Sequence, residues 1–179
     1  MTAAEILHFW FEETQPAQWW AKSADFDRHI AARFAQLHAA AVRGELYGWR
    51  NGPGGRLAEI IVLDQFSRNI FRDRPQAFAA DAMALVLAQE AVAAGIDQQL
   101  EPVRRAFLYM PYMHSESALI HSLAVSLFAA PGMQANLDFE LRHQAIIERF
   151  GRYPHRNAIL GRQSTAAEID FLRTPGSSF

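Results

Sequence analysis

Apolar residues recur every three to four positions along most of this chain, the spacing that gathers them on one face of an α-helix. Thr2-Ala3-Ala4-Glu5 reads as a capping box, and Ile6, Phe9 and Trp10 follow it at helical spacing. Pro16 marks the end of that segment, and Trp19-Trp20 falls in a connector. A long helix is predicted from Ser23 to Arg43, with Phe26, Ile30, Phe34, Leu37 and Ala41 as its buried stripe and Gly44 as its stop. Asn51-Gly52-Pro53-Gly54-Gly55 reads as a loop, and a third helix begins near Arg56.

After a break at Arg72 to Pro75, a helix is predicted from Gln76 to Ala94, with Phe78, Ala82, Leu85, Val86 and Val92 inward. Pro102 suits a first helical turn, and Pro111 closes the short segment that follows it. Further helices are expected from Tyr112 to Ala129, with Met113, Ile120, Leu123, Ala124 and Leu127 on one side, and from Asn136 to Phe150 through Phe139, Ile146 and Ile147. Gly151 to Arg162 is irregular, and Thr165-Ala166-Ala167-Glu168 opens a last short helix through a second capping box. No period-two alternation stands out, so the fold class is all-α without a sheet. Residues 1–173 form one helical domain and 174–179 a loose tail. Periodicity alone leaves a bundle and an antiparallel helical-hairpin array equally open.

The polar residues that fall on these apolar faces change the picture, because a buried charge is costly unless it is paired. Asp64 and Arg68 stand four apart, and Gln65 and Asn69 repeat the spacing one position round. Either these are an ion pair and an amide pair that lock helices together, or they line a pocket and present Arg68 to an anion. His114 and Glu116 form a second group at what reads as a first helical turn, with His121 seven residues from His114 on one face. Glu116 there is explained by the helix dipole, or else Asp64, His114 and Glu116 act together as an acid/base set. The third group, Arg149 through Asn157 with Arg162, places arginines and His155 on an irregular turn. It reads as a capping element or as an anion site using Arg152, His155 and Arg156.

Composition narrows the chemistry. With no cysteine, there is no disulfide, no thiol nucleophile and no Cys-ligated zinc. No His-Glu-x-x-His pair occurs, so no metal site is predicted, and no cofactor. The Asn51–Gly55 loop lacks the Gly-Lys-Ser/Thr of a phosphate-binding loop, and no Gly-x-Ser-x-Gly elbow is present. A formal charge of −2 gives no reason to expect nucleic acid as a partner. The most apolar stretch, Ala118 to Pro131, is too short to cross a bilayer, and the opening residues lack a signal peptide's basic and apolar regions. A cytoplasmic location without membrane association is therefore expected. Lys22 is the only lysine beside sixteen arginines, which fits a GC-rich genome or a preference for planar anion recognition.

Taken together, Phe9-Trp10-Phe11, Trp19-Trp20, Leu63 through Asn69, Ala77 through Asp81, Tyr109-Met110-Pro111, His114-Ser115-Glu116, Arg149 through Asn157 and Leu160-Gly161-Arg162 resemble a mainly bacterial family, domain of unknown function nine-two-four. The resemblance covers nearly the whole chain in order and implies a tetratricopeptide-like helical fold, without implying a function. Asp64, Arg68, His114, Glu116, Arg152 and His155 match its motifs, whereas the family carries Gln at the position of His121 and often an acidic residue at that of Ser117.

Three functions stay open on this basis. The leading expectation is a soluble helical module that binds an anionic metabolite or acidic peptide through Arg68, Asn69, Arg152, His155 and Arg156. The second is a hydrolase- or lyase-type enzyme whose catalytic candidates are Asp64, His114 and Glu116. The third is a structural or homo-oligomeric protein whose polar clusters only specify packing.

Overall fold

The computed structural model describes residues 1–177, and among them every regular element is helical. Helix α1 (Ala3–His8) opens on the Thr2 capping box and runs into a π-helical turn, Phe9–Glu13. The Trp19-Trp20 connector is in fact a short helix, α2 (Pro16–Trp20), started by proline at its first position. Helix α3 (Ala24–Val42) follows the Ser23 cap and buries Phe26, Ile30, Phe34 and Ala41, as its stripe predicts.

Helix α4 (Pro53–Ile61) starts three residues before the expected Arg56, so the supposed loop residues Pro53 to Gly55 form its first turn. Proline lacks the donor that this turn leaves unpaired. Gly55 is needed there, because a Cβ would sit 1.8 Å from the carbonyl oxygen of Trp49 in the preceding turn. The helix continues as a π-helical turn, Val62–Phe66, into α5 (Ser67–Ile70).

Helix α6 (Asp81–Ala93) corrects the predicted inward face. Ala84, Ala88 and Ala91 are fully buried, whereas Ala82 and Val86 face solvent. Small side chains let this helix press closely on α4 and α7, so burial there follows steric fit rather than side-chain size. The largest shift in boundaries falls at Pro111, which lies inside α7 (Pro102–Met113) rather than ending a segment. His114 is therefore the C-cap of α7, and the chain turns before α8 (Ala118–Phe128). His114 and His121 belong to different helices, not to one face, and Leu123 is exposed.

Helix α9 (Gln134–Phe150) ends on Gly151 at φ 68°, a left-handed cap that suits glycine, and Phe139 on it faces solvent. The second capping box opens α10 (Ala166–Leu172) as expected. Of the tail 174–179, the described part carries a Thr174 hydroxyl bonded to the Phe171 carbonyl and a buried Ser177 bonded to that of Leu172. Residues 178 and 179 lie outside the described residues.

Helices α6 to α9 each pack on the next, while α1 lies on α4 and α3 lies on α5 and the Val62–Phe66 turn. An aromatic cluster of Phe9, Trp10, Phe26, Phe34, Phe66 and Phe107 fills the centre of the N-terminal half. The Val62–Phe66 turn is thus held from both sides, with Asp64 and Gln65 fixed where α5, α6 and α7 come together. No helix among the described residues is long and apolar enough to cross a membrane.

Candidate functional site

The irregular turn in the α4–α5 helix decides where Asp64 points. A π-turn inserts one extra residue into the ladder and re-aims the side chains after it, a rare feature that is frequent at functional sites. Asp64 is 1% exposed and still carries three side-chain partners. His114 approaches with Nδ1 at 2.7 Å, Gln65 Nε2 donates at 2.6 Å, and Arg68 Nη1 lies at 3.1 Å. Burial works to raise the Asp64 carboxyl, but Arg68 and then His114 outweigh it and hold it well below the usual range. Asp64 is therefore an acceptor only.

That fixes the tautomer of His114. Burial, and next the positive charge of Arg68, push its imidazole below the ordinary histidine value, so the ring is neutral at pH 7. Because Asp64 can only accept, the single ring proton sits on Nδ1, and Nε2 keeps its lone pair. Nε2 has no hydrogen-bond partner among the described residues and is not sealed from solvent.

Arg68 goes from Asp64 to Asp81 at the start of α6, donating to both of its carboxylate oxygens at 2.9 and 3.0 Å. Arg156, 75 residues away from Asp81 in sequence, comes to the other side of the same carboxylate at 3.5 Å. Its guanidinium carbon lies 4.6 Å from the centre of the Phe78 ring and 4.5 Å from that of Tyr153. The residue is 6% exposed, and burial followed by repulsion from Arg68 lowers its pKa. Tyr153 is fixed in turn by its hydroxyl, which donates to the Met113 carbonyl at 2.5 Å. One contiguous cluster, Asp64, His114, Arg68, Asp81 and Arg156, thus joins α5, α6, the end of α7 and the turn after α9.

Other predicted residues are committed elsewhere. Glu116 takes both guanidinium donors of Arg162 at 2.6 and 2.9 Å and the Tyr153 backbone N–H at 2.8 Å, so it ties the C-terminal turn down rather than joining the Asp64 carboxylate. Burial works to raise its pKa, but these bonds, the Arg162 pair first, bring it below the ordinary value. Arg152 donates through Nε and Nη2 to Glu168 at 2.6 and 2.8 Å. Asn69 donates to Asp27 at 2.8 Å, and Gln65 to Asp64, so the expected Gln65–Asn69 amide pair does not form. A π-turn between residues and long-range partners outcompete the i, i+4 spacing there. His155 lies against Tyr153, with its pKa pushed down to about 4 by burial and then by Arg156.

A second buried pair, His121 Nδ1 to Glu140 Oε1 at 2.6 Å, links α8 to α9 and is fully enclosed. Sequence inspection missed Asp81, Phe78 and Tyr153 as parts of the cluster. The signal for the first two was their place in the Ala77-to-Asp81 motif block, and for Tyr153 its place beside Arg152. No group of three or more His, Asp or Glu among the described residues has the arrangement of a metal site. Two shallow hollows lie apart from the cluster. One of about 440 Å³ is bordered by Arg149, Arg152 and Glu168, and one of about 330 Å³ by Trp19, Trp20 and Phe107.

The family model for a bacterial protein of unknown function, DUF924, matches residues 6–176. A solved structure of a protein of unknown function from Agrobacterium tumefaciens is similar over 96% of each chain, at 40% identity and a TM-score of 0.90. No curated protein matches the chain.

Proposed function

We propose, for a chain that belongs to this DUF924 family of bacterial proteins, that it is an enzyme which transfers a proton at His114 while handling a small anionic substrate. The single observation behind this is the open Nε2 of a neutral histidine whose Nδ1 is held by a buried carboxylate. Asp64 orients the ring and favours the imidazolium that forms once Nε2 has taken a proton from water or from a substrate hydroxyl. Arg68 and Arg156 offset negative charge developing nearby. Hydrolysis or elimination is the reaction class that needs only these groups. Glu116 is left out of the chemistry, because both of its oxygens are spent on Arg162 and Tyr153.

A screen of small phosphate and carboxylate esters at pH 7.5, with His114→Ala run in parallel, tests the assignment. General-base catalysis contributes about 10²–10⁴-fold, and a loss of that size in the variant supports it. Turnover that survives His114→Ala overturns it, as does an NMR spectrum showing the proton on Nε2 at pH 7.

The alternative is a binding module without chemistry, favoured by the unfilled edge of Arg156. A tetratricopeptide-like arrangement, suggested by the packing of α6 to α9 each on the next, and a cytoplasmic location belong to the same proposal.

A further inference from the structure

The last carbonyls of a helix have no partner within it, and α7 runs out at the residue that carries the open imidazole. The two carbonyls that bracket His114 along the chain, those of Met113 and Ser115, are nevertheless both held by buried side chains. Tyr153, in the turn after α9, donates its hydroxyl to the Met113 carbonyl at 2.5 Å. His121, on α8, meets the Ser115 carbonyl with Nε2 at 2.8 Å. The same Nε2 lies 3.2 Å from the Tyr153 hydroxyl oxygen, so the two clamps touch each other.

These contacts fix a proton on His121. A carbonyl only accepts, and the one hydroxyl proton of Tyr153 is spent on Met113. Both neighbours of Nε2 therefore call for a donor, and Nε2 carries a proton. On the other side of the ring, Nδ1 faces Glu140 Oε1 at 2.6 Å. Whichever of these two holds the proton between them, Nε2 keeps its own. Neither residue has exposed surface, so the pair cannot exchange protons with a substrate. It is also not a cheap way to pack α8 on α9, because Glu140 Oε2 is buried without a partner. Burial raises the Glu140 carboxyl above its ordinary value, although the His121 bond works against it.

What this expense secures is the direction of a neighbouring ring. His114 has its Nδ1 on Asp64 at 2.7 Å, and only that orientation leaves Nε2 outward. Asp64 belongs to another element, the Val62–Phe66 turn, so the α7–α8 turn must be held in place for the two to meet. We infer that His121, oriented by Glu140, is a positioning residue for His114: its Nε2–H holds the Ser115 carbonyl, and with it the turn that aims the His114 ring at Asp64. The use made of His114 rests on the proposed function, whereas its aim is read without any substrate.

The test is histidine ¹⁵N NMR on the full chain, with a pH titration of His114. The unaltered protein should show His121 protonated on Nε2 at pH 7. His121→Leu fills the space without a donor. There the His114 midpoint should rise toward about 6.5, as the ring leaves the burial and the Arg68 charge that hold it down. The Nδ1–H signal that marks the Asp64 contact should weaken with it. His121→Gln offers an amide donor to the same carbonyl and should keep the His114 titration of the unaltered protein. An unprotonated Nε2 on His121 overturns the inference. So does an unchanged His114 titration in His121→Leu, or a midpoint near 6.5 in His121→Gln. The first and last of these decide the matter if the leucine variant does not fold. Turnover that survives His114→Ala would remove the proposed chemistry and leave these NMR results standing, so the two proposals fail separately.

Discussion

Two ionic clusters touch Tyr153, and they are built to opposite rules. On one side, Glu116, Arg162 and Asn157 are closed: Glu116 is fully used by Arg162 and the Tyr153 N–H, and Arg162 Nε donates to Asn157 at 3.0 Å. On the other side, His114 keeps Nε2 without a partner at the solvent edge, and Arg156 keeps a buried Nε without one. A closed cluster is sufficiently explained by stability, since every donor is answered within the fold. An open one is not, because leaving a buried polar group unanswered costs about 1–3 kcal/mol. Composition does not separate the two, as both are arginine and carboxylate clusters. What separates them is whether the last donor edge is filled.

The comparison can be broken at its strongest point first. His114→Ala should lower turnover of any substrate found by about 10²–10⁴-fold. Its melting temperature should move little, because Asp64 keeps Arg68 and Gln65. A large loss of stability with unchanged turnover would place His114 in the closed class.

Acid should act next. His143 is pushed down to about 3 and His155 to about 4, burial being the first cause of each. Both rings stay neutral in the folded protein where they would charge in the unfolded chain, so the unfolded state binds more protons below the ordinary histidine value of about 6.5. Stability is therefore present above about pH 6.5 and is lost as pH falls toward 4. Melting temperatures between pH 7.5 and 4.5 should drop steadily, and a flat profile would contradict the burial of these rings.

Glu116→Ala tests the closed cluster itself. It leaves Arg162 without its carboxylate and the Tyr153 N–H without an acceptor. A loss of about 2 kcal/mol is expected, a buried-pair cost discounted for partial exposure. At this chain length that lowers the melting temperature by about 4–8 °C.

The smallest effect should come from Arg156→Gln. Removing a cation that the fold leaves under-compensated should change stability by no more than about 1 kcal/mol, in either direction. Thermal melting checks this, and a fall as large as that of Glu116→Ala would mean that Arg156 is part of the closed framework.

Much of the helical framework was legible along the chain. The Ser23-to-Arg43 stripe and both capping boxes depend on contacts within four residues, and periodicity records those. The α6 face was misassigned because alanine says little by itself: which side of Asp81–Ala93 is buried depends on how near α4 and α7 come. Pro111 was read as a terminus because proline disfavours helix interiors, but packing of the fully buried turn around it outweighs the lost bond.

For the cluster, the spacing along the chain put Asp64 within reach of Arg68, one of its two readings there, although the same spacing at Gln65 and Asn69 ended in other partners. Periodicity also marked Asp64 and Arg68 as needing a physical account, because charge on an apolar face is expensive. Packing between helices supplied the rest. The distance from Arg68 to Asp81, the meeting of Asp64 with His114 across 50 residues, the contact of Arg156 with the rings of Phe78 and Tyr153 and the capture of Glu116 by Arg162 all join separate elements. Such pairings are chosen by which helices the apolar core brings together, and ion pairing follows that choice because a charge near the core takes the partner that packing delivers.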